Sequence, residues 1–221
     1  MEQAFSLMVG SHAGNVDALL LSPPNPVLLY VFAHGAGAGM RHRFMDAMAG
    51  RLYDRSVATL RYQFPYMQSG GKRPDVPAVL EATIRAAIQH GHEAYPDLPL
   101  LAGGKSMGGR MTSQLLSRQQ DLPVKGIAFL GFPMHQPNKP GRERAAHLFD
   151  VVHPMLFVQG TRDTLADLTL IREVTTELGA LATLHVIEGA DHSFAVPKKS
   201  GRTHDQVLDE IADVMVQFGT G

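Results

Sequence analysis

The stretch LLAGGKSMGGR, residues 100–110, sets a serine between glycines as Gly104-x-Ser106-x-Gly108. That spacing suits a nucleophile elbow, a strained strand-to-helix turn that lifts a serine Oγ above a sheet and requires small residues two places to either side. The same letters also resemble the end of a phosphate-binding loop, G-x-x-x-x-G-K-[ST], with Lys105 on a nucleotide and Ser106 on magnesium. The first glycine of that motif would stand at position 99, where the chain has Pro99. Proline lacks an N–H and cannot take up glycine's conformations, so the pattern favours the elbow.

A serine hydroxyl is a weak nucleophile until a base takes its proton, and the base needs an acid to orient it. Behind an elbow these groups follow in the order Ser, Asp or Glu, His, each just beyond a later strand. MLFVQGTRD places Asp163 three residues past Gly160, and LHVIEGADH places His192 three residues past Gly189. Asp167 and Asp191 compete for the role of the acid. Asp167 is expected inside the next helix, and Asp191 adjoins His192, where neighbouring side chains on a short loop diverge. Negative charge developing on a carbonyl oxygen needs aimed N–H donors. The expected donors are Met107, directly after the serine, and Ala36 in the loop HGAGAGM (34–40), with Gly35 and Gly37 as near alternatives.

These groups need strands that end together and helices that return the chain. QAFSLMV and NVDALLLSP read as two short strands joined by a glycine-containing turn, and 27–33 as a buried central strand. Further strands are expected at 57–62, 98–103, 124–132, 155–160 and 182–189. Helical spacing appears over about 41–54, 77–91 (ending at Gly91), 107–119, 166–178 and 203–218. The alternation predicts an α/β fold: a doubly wound, mainly parallel sheet with helices on both faces. Ligands bind beyond the carboxyl ends of such strands.

Composition narrows the classes. With 221 residues, 44% hydrophobic and 19% charged, the chain fits one globular domain over 1–221. A formal charge of −1 offers no electrostatic case for nucleic acid or an acidic membrane. The absence of cysteine excludes disulfides, thiolate metal sites and a cysteine nucleophile. MEQAFSLMVGSHAG lacks the features of a signal peptide, and PVLLYVFA (26–33) is too short to span a bilayer. The expectation is a cytoplasmic protein with no membrane partner.

The motifs AHGAGAGM, GGKSMGG, FVQGTRD and GADHSF occur in that order, and residues from about 15 to 218 resemble the α/β-hydrolase superfamily. Within it they look most like the small lidless branch of dienelactone-hydrolase-like esterases and related hydrolase-like domains. The resemblance implies Ser106 as nucleophile, His192 as general base and Asp163 as the acid that orients it. Dienelactone hydrolase carries cysteine where this chain has Ser106, so its substrate does not carry over. The implied activity is a carboxylesterase or thioesterase acting on a small-molecule acyl substrate through an acyl-enzyme, with no cofactor and no metal. Peptidase and acyl-transferase chemistry share the same machinery. The alternative class is a catalytically silent hydrolase-fold module that binds protein. The oligomeric state stays open, a monomer being compatible with the sequence.

Other residues carry smaller expectations. The segment 134–153, where many relatives insert a lid, is too short for a cap domain. His34 is expected to hold the 34–40 loop by hydrogen bonds, and Lys105 to extend into solvent. His90 and His92 read as exposed rather than as a metal pair. The basic stretches GGKRP and GRERA read as solvated loops. Phe64, Tyr66, Met67, Phe132, Met134 and Phe194 are candidates to line an acyl pocket.

Overall fold

Strands that are apolar on both faces can only be stable between two layers of helix. Four such strands form the centre of the computed structural model, which describes residues 2–10, 13–137 and 139–221. They are β3 (Leu28–Ala33), β5 (Leu100–Lys105), β6 (Gly126–Leu130) and β7 (Met155–Gly160), buried along almost their whole length. β4 (Val57–Tyr62) and β8 (Ala182–Ile187) extend the parallel run, while β1 (Glu2–Gly10) and β2 (Gly14–Leu21) add an antiparallel edge. The eight strands lie in the order β1-β2-β4-β3-β5-β6-β7-β8. The turn expected between β1 and β2 includes Ser11 and His12, which lie outside the described residues, as does Asn138.

Successive side chains of a strand point to opposite faces, and β3 shows how that divides the core. Leu28, Tyr30 and Phe32 pack against α1 (Arg43–Tyr53) and α6 (His204–Thr220). Leu29, Val31 and Ala33 face α3 (Pro77–Ala94) and α4 (Met107–Leu116). A third cluster beneath α5 (Leu168–Leu178) completes the second face. The fold is thus the expected doubly wound, mainly parallel sheet with helices on both sides.

Two features depart from the sequence reading. α3 continues to Ala94 instead of stopping at Gly91. Gly91 is a packing site: a Cβ there would lie 2.9 Å from Leu29 Cδ2 and 3.2 Å from Val31 Cγ2, so the glycine lets helix and sheet approach. A short helix, α2 (Pro65–Gln68), also follows β4. Between β6 and β7 the described residues form only loop and one 3₁₀ helix, Glu143–Asp150, with no cap domain.

α1 and α6 lie side by side on one face of the sheet, and their first turns reach the carboxyl ends of the strands. Met45, Met48, Leu208, Ile211 and Met215 join the two helices through one apolar cluster. Arg51 Nη2 meets Asp205 Oδ1 at 2.6 Å and Arg55 Nε meets Asp213 Oδ1 at 2.5 Å. Exposed pairs of this kind contribute about 0–1 kcal/mol each, so apolar burial does most of the joining. Among the described residues, no helix is long and apolar enough to cross a membrane.

Candidate active site

β5 runs directly into α4 through Ser106, whose φ of 52° and ψ of −116° are rare for a residue with a side chain. Such a conformation costs about 1–3 kcal/mol and persists only where the surroundings enforce it. Ser106 N–H donates to the Leu130 carbonyl at 3.2 Å, and Arg110 N–H returns to the Ser106 carbonyl at 3.2 Å. A Cβ on Gly104 would lie 2.3 Å from the Ala33 carbonyl oxygen; one on Gly108 would lie 2.6 Å from that oxygen. Only glycine at both places lets β5, β3 and α4 meet this closely, which is the physical content of the expected glycine spacing.

The turn presents Ser106 Oγ 2.9 Å from His192 Nε2, and His192 Nδ1 lies 2.7 Å from Asp163 Oδ2. The loop after β7 and the loop after β8 therefore deliver the two residues to one place, in the expected order. Asp163 is buried and its carboxylate is well supplied with donors: Leu165 N–H reaches Oδ1 at 2.8 Å and Gln159 Nε2 reaches Oδ2 at 2.6 Å. A buried carboxylate needs this, because unpaired burial costs several kcal/mol. Asp163 Oδ2 thus faces His192 Nδ1 on one side of the ring while Nε2 faces Ser106 Oγ on the other.

Neither competing aspartate reaches the imidazole. Asp167 is not inside α5 but caps it, accepting from Thr169 N–H at 2.8 Å and Leu170 N–H at 3.4 Å. A carboxylate is strongly preferred at an N-cap. Asp191 Oδ1 accepts from Ser193 and Ala195 N–H at 2.8 and 3.0 Å, closing the loop that carries His192.

Met107 is the first residue of α4, so its N–H has no acceptor within the helix. Ala36 lines the cavity together with Gly35 and Ser106. The 34–40 loop is pinned as anticipated: His34 Nε2 accepts from Phe64 N–H at 3.1 Å, and its Nδ1 lies 2.8 Å from the Gly35 carbonyl. Burial pushes His34 down to about 4, against the opposing Gly35 bond, so it stays neutral. Gly37 N–H is committed to Tyr66 Oη at 3.0 Å and Ala38 N–H to the Gly35 carbonyl at 3.2 Å. Gly37 is therefore already engaged, while Ala36 faces the cavity.

The cavity itself, of about 670 Å³, opens from Ser106 and His192 toward the first turns of α1 and α6. Its apolar wall is Phe44, Met45, Ala47 and Leu208, and His42, Arg43 and His204 stand at its edge. None of the six residues expected to line an acyl pocket is among the residues lining this cavity. Phe64, Tyr66, Phe132, Met134 and Phe194 are buried, and Met67 packs against the core beneath the sheet edge. Phe132 instead packs edge-on against Phe129, and Phe64 against His34. They pack into the core rather than line this cavity.

Lys105 also departs from expectation. Its stem lines the cavity, but Nζ turns inward, is shielded from water and has no hydrogen-bond partner among the described residues. Burial pushes it down to about 8, with Asp163 and Asp191 opposing. His90, expected in solvent, is half-buried and stacks on Phe5 at 4.5 Å. The described residues contain no cluster of three His, Asp or Glu able to hold a metal.

A second serine–histidine contact exists. Ser113 Oγ lies 2.8 Å from His147 Nε2, but Ser113 sits within α4 and is buried. Burial, then Arg110 and Arg118, bring His147 down to about 4, and no carboxylate hydrogen-bonds its ring among the described residues. That pair packs α4 against the 3₁₀ helix.

Sequence reasoning missed Gln159 and the cavity wall. Gln159 had a visible signal, a lone amide at the end of an otherwise apolar strand. The wall had none, since it depends on how α1 and α6 dock.

A family model described as an alpha/beta hydrolase domain matches residues 26–220. Among solved structures, the chain is similar to a serine hydrolase without lid from Xanthomonas campestris, at 16% identity and TM-score 0.75, over 100% of this chain and 96% of that one. It is similar to dienelactone hydrolase from Anabaena variabilis, at 19% identity and TM-score 0.75, over 98% and 95%. A cold-adapted esterase from an Arctic intertidal metagenomic library matches at 21% identity and TM-score 0.67, over 96% and 93%.

Proposed function

Because the chain belongs to the alpha/beta hydrolase family, we propose that it is a serine esterase or thioesterase for small acyl compounds, acting through Ser106, His192 and Asp163. The observation that carries this reading is the continuous hydrogen-bonded chain from Ser106 Oγ through His192 to Asp163, with its serine end in an open cavity.

In this mechanism His192 Nε2 takes the Ser106 proton as Oγ attacks the acyl carbonyl. The carbonyl π pair moves onto oxygen, where the Met107 and Ala36 N–H groups receive it. As the tetrahedral adduct collapses, the bond to the alcohol or thiol breaks and the imidazolium returns its proton to the leaving group. Water, deprotonated by the same nitrogen, then attacks the acyl-serine, and its second collapse frees the acid and restores Ser106. Asp163 holds the ring in the required tautomer and stabilises the cation in both halves.

Without a cap domain the cavity stays open to water, which suits short acyl groups over long lipid chains. The test is a panel of p-nitrophenyl acetate, butyrate and palmitate with an acetyl thioester, run on wild type and Ser106→Ala. Turnover of the short esters or the thioester is expected, falling at least about 10³-fold in the variant. Failure to hydrolyse any of them, or equal rates in both proteins, contradicts the proposal.

A further inference from the structure

Resting on the reading of His192 as base, we propose that Lys105 is a positioning residue whose buried charge keeps the His192 imidazole in its neutral, proton-accepting form. Three observations carry this. Lys105 Nζ lies 5.9 Å from the Phe44 ring centroid and 5.5 Å from that of Phe194. Those rings stack on one another at 5.9 Å, forming an aromatic seat that accepts a cation without hydrogen-bonding it. Phe194, two residues past His192, is fully buried with a φ of 61°, so a strained loop turns this ring inward.

The third observation gives the direction of action. A Cβ placed on Gly131 would lie 3.0 Å from Lys105 Nζ, 3.4 Å from His192 Nδ1 and 3.5 Å from Asp163 Oδ2. Glycine at 131, where φ is 73°, puts no side chain into the space that the ammonium shares with the histidine–carboxylate pair. The other ionisable groups about this space are Asp191, next to His192, and His204, whose Nδ1 lies 3.2 Å from the Phe194 carbonyl. His42, Arg43 and Asp205 also line the cavity.

A cation so placed favours Asp163 as carboxylate and opposes a second positive charge on His192. The neutral imidazole then survives to lower pH. Burial of an unpaired ammonium destabilises a fold; on this proposal the same charge acts on the neighbouring histidine. Burial also brings Lys105 to about 8, so this effect switches off within the accessible pH range.

The experiment is an NMR titration of the His192 Cε1–H resonance, assigned by its loss in His192→Gln, in wild type and Lys105→Met. The protonation midpoint read at His192 is expected to move up by about one pH unit in Lys105→Met. In wild type the same resonance should show a second step near the pH where Lys105 loses its proton, absent from the variant. This second step tests the proposal even where the variant folds poorly. An unchanged midpoint together with a single-step wild-type titration overturns it. Because the readout needs no turnover, an inactive enzyme would contradict the esterase reading while leaving this result separately legible.

Discussion

Gln159 donates from Nε2 to Asp163 Oδ2 at 2.6 Å, from the next-to-last position of β7. The same side chain accepts the Phe132 N–H through Oε1 at 3.0 Å, so it also ties down the loop leaving β6. Gln159→Leu keeps the volume and removes both bonds. Losing a hydrogen bond to a charged group costs about 1.5–3 kcal/mol, so kcat should fall at least about 10-fold with little change in KM. Steady-state kinetics on p-nitrophenyl acetate check this; an unchanged kcat would contradict it.

The glycines of the elbow should differ sharply from glycine elsewhere. At Gly108 an added Cβ meets the Ala33 carbonyl oxygen, Ala33 Cβ and the His34 carbonyl oxygen, all within 2.7 Å. Gly108→Ala should destabilise by about 1–3 kcal/mol and displace the 34–40 loop. Gly50, within α1, has nothing within 4 Å of the same position. Gly50→Ala should stabilise by up to about 1 kcal/mol. Urea denaturation of the two variants separates these outcomes by sign.

Two buried groups give the fold a pH dependence. His34 sits near 4 when folded, against 6.5 for a free histidine. Between those values the unfolded chain holds the extra proton, so stability falls as pH drops through the window, by up to about 3 kcal/mol. Lys105 sits near 8 against 10.5. The unfolded chain is again the better proton binder, so stability attributable to Lys105 rises between about pH 8 and 10.5. Denaturation midpoints of wild type and Lys105→Met across this range should converge as pH rises; a constant gap would contradict the assignment.

Much of this arrangement was legible in the chain because it is local. Apolar runs set the central strands, and Gly104, Ser106 and Gly108, lying between an apolar run and a helical pattern, identify a strand–turn–helix junction. Asp163 and His192 follow from their places just past β7 and β8, positions that the parallel sheet makes convergent. What stayed hidden depends on docking between distant segments. Lys105 reads as a surface lysine until Phe44 from α1 and Phe194 from the loop after β8 close over it. Phe132 and Phe64 sit in loops at the correct edge, yet their rings turn into the core and leave α1 and α6 to form the cavity. Gly91 reads as a helix end because its real constraint, the closeness of Leu29 and Val31, belongs to another strand.

Activation of Ser106 by His192 is tested most directly by intact mass after exposure to a fluorophosphonate, comparing wild type, Ser106→Ala and His192→Ala. A single adduct on Ser106 in wild type, absent from both variants, is the predicted result. A folded wild type that takes no adduct, or a Ser106→Ala variant that labels at the wild-type rate, would contradict it and favour the protein-binding module instead.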